Sequence, residues 1–124
     1  MKAKIPIRVT PPSKLEEVEV DFPIYRKQDM ELDDCECVRY TRTQLSPNGK
    51  TFEEFSIKEV INSGGLIEYE IEAKGRYSTA PHPQSDPDYI LGKGRYACSR
   101  KEFGDVVARM LKVVHEEMCS DASV

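Results

Sequence analysis

The sequence predicts an α+β domain: an antiparallel meander sheet, open or curled into a small barrel, covered by one C-terminal α-helix. Three observations carry this reading. Apolar and polar residues alternate with period two in separate stretches between residues 5 and 73. Two turn sequences, Pro47-Asn48-Gly49 and Ser63-Gly64-Gly65, divide those stretches. After Ser99 the apolar spacing changes to that of a helix.

The elements follow in order. Ile5 to Val9 reads as a short edge strand or an extended arm, because Pro6 removes a ladder donor, and residues 1–13 are set apart on that basis. Leu15 to Phe22 places Val18, Val20 and Phe22 on one face and Glu17, Glu19 and Asp21 on the other, the pattern of a half-buried strand. Pro23 bends it, and Ile24-Tyr25 continues as a short edge piece. Gln28 to Asp34 is polar and acidic and reads as a loop.

Cys35 to Gln44, with Val38, Tyr40, Thr41 and Thr43, is the next strand. Pro47-Asn48-Gly49 turns it back into Thr51 to Ile61, a hairpin. Leu66 to Ala73 alternates most cleanly, with Ile67, Tyr69, Ile71 and Ala73 toward the core and Glu68, Glu70 and Glu72 toward water. Pro81 to Asp88 excludes regular structure; Tyr89-Ile90-Leu91 is a short apolar segment, and Gly92 to Ala97 a further extended piece. Ser99-Arg100-Lys101-Glu102 fits a capping box. Phe103, Val106, Val107, Met110, Val113, Val114 and Met118 then form one stripe of a helix from about Arg100 to about Glu117, leaving residues 120–124 as a frayed tail.

A chain of 124 residues is one domain by size, with 39% hydrophobic and 32% charged residues, polar but not disorder-like. The formal charge of −4 is uneven. Residues 1–73 carry 15 acids against 10 bases; residues 74–112 carry 8 bases against 4 acids. Such a dipolar charge suits docking of an acidic partner at one end; solvated faces are the plainer account. Cys35, Cys37, Cys98 and Cys119 accompany no secretory leader and no apolar run of membrane length. The expectation is a soluble cytoplasmic protein with free thiols.

The sharpest functional hint is a repeat. Lys74-Gly75-Arg76-Tyr77 recurs as Lys93-Gly94-Arg95-Tyr96 at the other end of the Pro-rich 78–88 segment. Arg offers a planar fork for phosphate or carboxylate, Lys a point charge and Tyr a stacking face. Three prolines stiffen the segment between them and place His82 on the surface. Lys74, Arg76, Tyr77, His82, Lys93, Arg95 and Tyr96 are therefore the candidate contact residues. The plainer account is two strand ends where Gly permits a bulge and Tyr packs.

Two further clusters have bland counterparts. Cys35 and Cys37 point to one side of a strand, and with His115 and Cys119 they make the four ligands a structural zinc site needs, although Cys also fills cores as a small hydrophobe. Glu68, Glu70 and Glu72, joined by Glu17, Glu19 and Asp21 if the strands are neighbours, form a carboxylate surface or simply a wet sheet face. No spacing singles out a nucleophile with a base, so an enzyme is the least supported class and no cofactor or metal is expected. The sequence reading is a small non-enzymatic binding module, an adaptor or inhibitor such as a virus or mobile element encodes. It contacts another protein through the 78–88 segment and its flanking tetrads, and a homo-oligomer through an unprotected edge is compatible with it. The alternative is a nucleotide or nucleic-acid binder in which Arg76 and Arg95 hold phosphate and Tyr77 and Tyr96 stack on bases.

Overall fold

The computed structural model describes residues 2–9, 14–32, 35–78 and 87–122, without the side chains of residues 7–9, 14–15, 31–32, 73–78, 87 and 119–122. Among the described residues six strands form two antiparallel sheets. β1 (Lys2–Val9) pairs with β2 (Lys14–Asp21). β3 (Ile24–Leu32), β4 (Cys35–Leu45), β5 (Thr51–Asn62) and β6 (Ile67–Ser78) form a four-stranded meander in sequence order. The meander is open, with β3 and β6 at its edges, so the curled-barrel version of the fold is not adopted. A short helix α1 (Pro87–Leu91), a 3-10 turn (Gly94–Tyr96) and the long helix α2 (Arg100–Ala122) complete the α+β architecture.

Of the two readings of the N-terminal segment, the strand is adopted: residues 2–9 pair along their whole length with β2, and Ile5 is buried against Phe22 and Ile24. Two sequence expectations are corrected. Gln28 to Leu32 is strand, not loop, in register from Ile24↔Thr43 to Leu32↔Cys35. A strand this polar is held because its charges find partners: Arg26 bonds Glu54 on β5 at 2.6 Å, and Lys27 bonds Glu102 on α2 at 2.7 Å. Gly92 to Ala97 makes no seventh strand; only Ala97 forms a single bridge, to Arg26. Gly92 and Gly94 take φ values of 66° and 60°, which breaks any extended run.

Both turns behave as written in the sequence. At the β4–β5 hairpin Gly49 has φ 72°, and the Asn48 side chain accepts from the Lys50 N–H at 2.9 Å. At the β5–β6 hairpin the Asn62 side chain accepts from both Gly64 and Leu66 N–H groups.

The meander has two faces. On the front, α2 lays Phe103, Val106 and Met110 over Tyr40 and Ile57. On the back, Thr41 and Ser56 share a buried hydrogen bond of 2.9 Å, and Ile24, Phe22 and Ile5 form a second apolar cluster with Phe52, Ile90 and Leu91 around it. The Ser99 hydroxyl caps α2, accepting from the Glu102 N–H at 3.0 Å. The Glu102 carboxylate goes to Lys27 rather than back to the cap. α2 continues to Ala122, past the expected end and into the presumed tail, because no Gly or Pro interrupts the chain after Gly104. Among the described residues no helix is long and apolar enough to cross a membrane.

Candidate functional site: a basic-aromatic cap on the β3 edge

The segment from α1 to Ala97 forms a cap on the outer edge of β3. It sits close. A side chain at Gly92 would meet the Tyr25 carbonyl oxygen at 2.5 Å, and only a glycine at this positive φ permits the approach. Arg26, almost fully buried, anchors the cap: its guanidinium carbon lies 4.5 Å from the centroid of the Tyr89 ring. Tyr89 in turn meets Tyr96 edge-on at 5.2 Å.

Arg95 is the exposed member of this stack. Its guanidinium lies 4.7 Å from the Tyr96 ring centroid and donates to the Tyr96 hydroxyl. Arg95, Tyr96, Gln28 and Asp29 line an open depression of about 320 Å³ beside the β3 edge. The depression thus carries both charge signs and an amide. Tyr96 is only 8% exposed and already touches Arg95 and Tyr89, which leaves little ring surface for a stacking base.

The other candidates are distributed as follows. The backbone of Lys74 to Tyr77 runs in β6, at the opposite edge of the meander from the cap. There the register passes from Phe55↔Ala73 to Glu53↔Arg76, so Lys74 and Gly75 form a bulge opposite a single β5 residue. One tetrad is bulged strand and the other a 3-10 turn; identical sequence takes two conformations set by its neighbours. The topology does not bring Arg76 and Arg95 to one edge. His82 lies outside the described residues, as does most of the Pro-rich segment.

The acid rows separate. Glu17, Glu19 and Asp21 belong to the small sheet and Glu68, Glu70 and Glu72 to the large one. Glu72 lies 2.9 Å from Lys58 and 3.7 Å from Arg39, and Glu70 lies 3.8 Å from Lys58. The thiols separate too. Cys37 lies on the back of the meander, in register with Val60, whereas the helix bearing His115 crosses the front. Among the described residues no group of three His, Cys, Asp or Glu side chains converges.

On the front, α2 is tied to the sheet by charge at two points. The Glu102 bond raises the pKa of Lys27. Arg109 donates to both Glu59 oxygens at 3.0 and 3.2 Å, which raises its own pKa, and Tyr69 donates to the same carboxylate at 2.8 Å. Burial lifts the Cys98 thiol at the helix start to about 11. Sequence reasoning missed Arg26, Gln28, Asp29 and Tyr89. The available signal was Arg26 directly after the apolar pair Ile24-Tyr25, a charge in a strand context that demands a buried partner.

No known protein family, curated protein or solved structure matches the chain.

Proposed function

We propose that the protein is a small non-enzymatic binding module, an adaptor or inhibitor, that contacts another protein through the cap on the β3 edge and the 78–88 connection leading into it. The observation that carries this reading is Arg95, an exposed guanidinium pre-set over the Tyr96 ring at the rim of the Gln28–Asp29 depression. An arginine held by an aromatic ring loses little freedom on binding, which favours contact. Asp29 beside Arg95 suits the mixed charges and amides of a polypeptide, whereas a phosphate there meets a carboxylate. The free thiols Cys35, Cys37 and Cys98 support placing the module in a reducing compartment, the cytoplasm.

The test is photo-crosslinking from a benzoylphenylalanine placed at Lys93 in living cells. A discrete adduct that disappears with Arg95→Ala and with deletion of residues 80–87 is expected. An adduct indifferent to both changes removes the cap and loop as the contact. The nucleotide reading takes over instead if oligonucleotides raise the melting temperature, the gain falls steeply with salt, and Arg76→Ala with Arg95→Ala abolishes it.

A further inference from the structure

The clean alternation of β6 misleads about its front face. Ile71 is paired with Ile57, which is fully buried, yet Ile71 is 51% exposed and Ile67 is 45% exposed. The cause is the path of α2. It covers Tyr40 and Ile57 on the two central strands and reaches β6 at Tyr69, leaving Ile67 and Ile71 on either side of that tyrosine exposed. The helix itself continues the apolar stripe past its last core residue, Met110, with Leu111, Val114 and Met118 all exposed. Ile61, in register with Ile67, adds to the same uncovered surface. Ile61, Ile67 and Ile71 thus gather large exposed apolar side chains at one edge of the sheet, which marks an interaction surface.

Two more properties define what fits there. Among the described residues no strand pairs with the outer edge of β6, so its backbone groups form a template for strand addition. On the back of the same strand stand Glu68 and Glu70, both exposed, the latter with 65% of its side chain in solvent. A strand added to β6 presents alternate side chains to these two faces. One set meets Ile67 and Ile71; the other meets Glu68 and Glu70.

We propose that the outer edge of β6 between residues 67 and 72 captures an extended segment of a partner protein in which apolar and basic residues alternate. Charge selects this occupant over a second copy of the chain. The register that sets Ile67 against Ile71 of a second copy also sets Glu68 against Glu70, twice, and directly opposed like charges destabilise a strand pair. A Lys or Arg at each alternate position removes that repulsion. This surface is independent of the Arg95 cap, on the opposite edge of the meander.

The probe is a capped synthetic peptide of four Lys-Val repeats, followed by fluorescence anisotropy and by backbone amide shifts. Binding is expected, with shifts concentrated in β6. A block peptide of the same composition, four Lys then four Val, should bind roughly tenfold more weakly or not at all. N-methylation of alternate peptide nitrogens should abolish binding by blocking main-chain pairing. Glu68→Lys with Glu70→Lys should transfer preference to a Glu-Val repeat, and Arg95→Ala should change nothing. Equal affinity for the block peptide, or no effect of the charge reversal, overturns the proposal. So does a concentration-dependent dimer that Ile67→Lys with Ile71→Lys dissociates, since the surface then belongs to a second copy.

Discussion

Arg26 on β3 reaches across β4 to Glu54 on β5, its Nη2 2.6 Å from the Glu54 Oε1, while Tyr89 of the cap packs on its guanidinium at 4.5 Å. One buried cation therefore joins the interior of the sheet to the edge segment that carries Arg95. The Thr43 hydroxyl, at 3.4 Å from the same carboxylate oxygen, lies on the intervening strand. The position of the candidate site is thus set by a charge pair together with the packing of Ile90 and Leu91 on the Ile5, Phe22 and Ile24 cluster.

Loss of Arg26 should be costly. Its side chain is 8% exposed and that of Glu54 17%, so removing one partner strands a charge in a poorly solvated place. Arg26→Ala should destabilise by about 3 kcal/mol, the low end for a broken buried pair. Arg26→Met with Glu54→Gln should recover part of that, because neither charge is then left unmet. Urea denaturation of the two variants measures the difference. An Arg26→Ala cost below about 1 kcal/mol, the range of an exposed pair, removes the anchoring role.

Ile57 and Ile71 are direct neighbours on one sheet face, yet only Ile57 lies under α2. Ile57→Ala should cost about 3–4 kcal/mol, as for other buried aliphatic truncations. Ile71→Ala should stay within about 0.5 kcal/mol, as for surface changes. Comparable costs at the two positions mean that β6 is covered and that its open apolar face does not exist.

The contrast between these two isoleucines shows what the sequence conveys. Period two assigns Ile57 and Ile71 to one face, and the turn residues Asn48 and Gly49 assign the hairpin, because both signals are local. Whether a face is covered depends on where a distant helix crosses, and alternation carries no information about that. β3 was hidden for a related reason. Its Arg26 and Lys27 are matched by Glu54 and Glu102, 28 and 75 residues away, and Gln28 to Leu32 is strand through its ladder with Cys35 to Arg39, none of which shows in the local pattern. The Lys-Gly-Arg-Tyr repeat was legible as sequence, but its two conformations follow from the β5 neighbour in one copy and the contacts to β3 in the other.

The start of α2 offers a separable test of its two Glu102 interactions. Ser99→Ala removes the acceptor for the Glu102 N–H and should cost about 1 kcal/mol. Glu102→Gln leaves the cap bond intact, since that bond uses the backbone, but weakens the contact with Lys27. The Lys27 ammonium, whose pKa the Glu102 bond raises, should then titrate at lower pH, readable from its side-chain NMR signals. An unchanged Lys27 titration means that the 2.7 Å contact does not persist in solution.

Stability should fall on the alkaline side, and the sign follows from groups with raised folded values. Burial lifts Cys98 to about 11, against 9.0 for an ordinary thiol. Burial also raises the phenols of Tyr40 and Tyr69, the latter helped by its bond to Glu59. Lys27 and Arg109 rise through their carboxylate partners. In each case the folded state binds the proton more tightly, so unfolding releases protons and stability decreases with pH. The contribution from Cys98 is complete below pH 9.0 and is lost as pH rises toward about 11. Melting temperature should therefore hold level up to about pH 9 and then fall, and Cys98→Ser should make the first part of that fall shallower. Alkylation reports the same physics: Cys98 should react with iodoacetamide at pH 8 well below the rate of a free thiol, because the thiolate is the nucleophile. A rate equal to that of glutathione, with a melting temperature flat to pH 10.5, contradicts the packing of Cys98 at the start of α2.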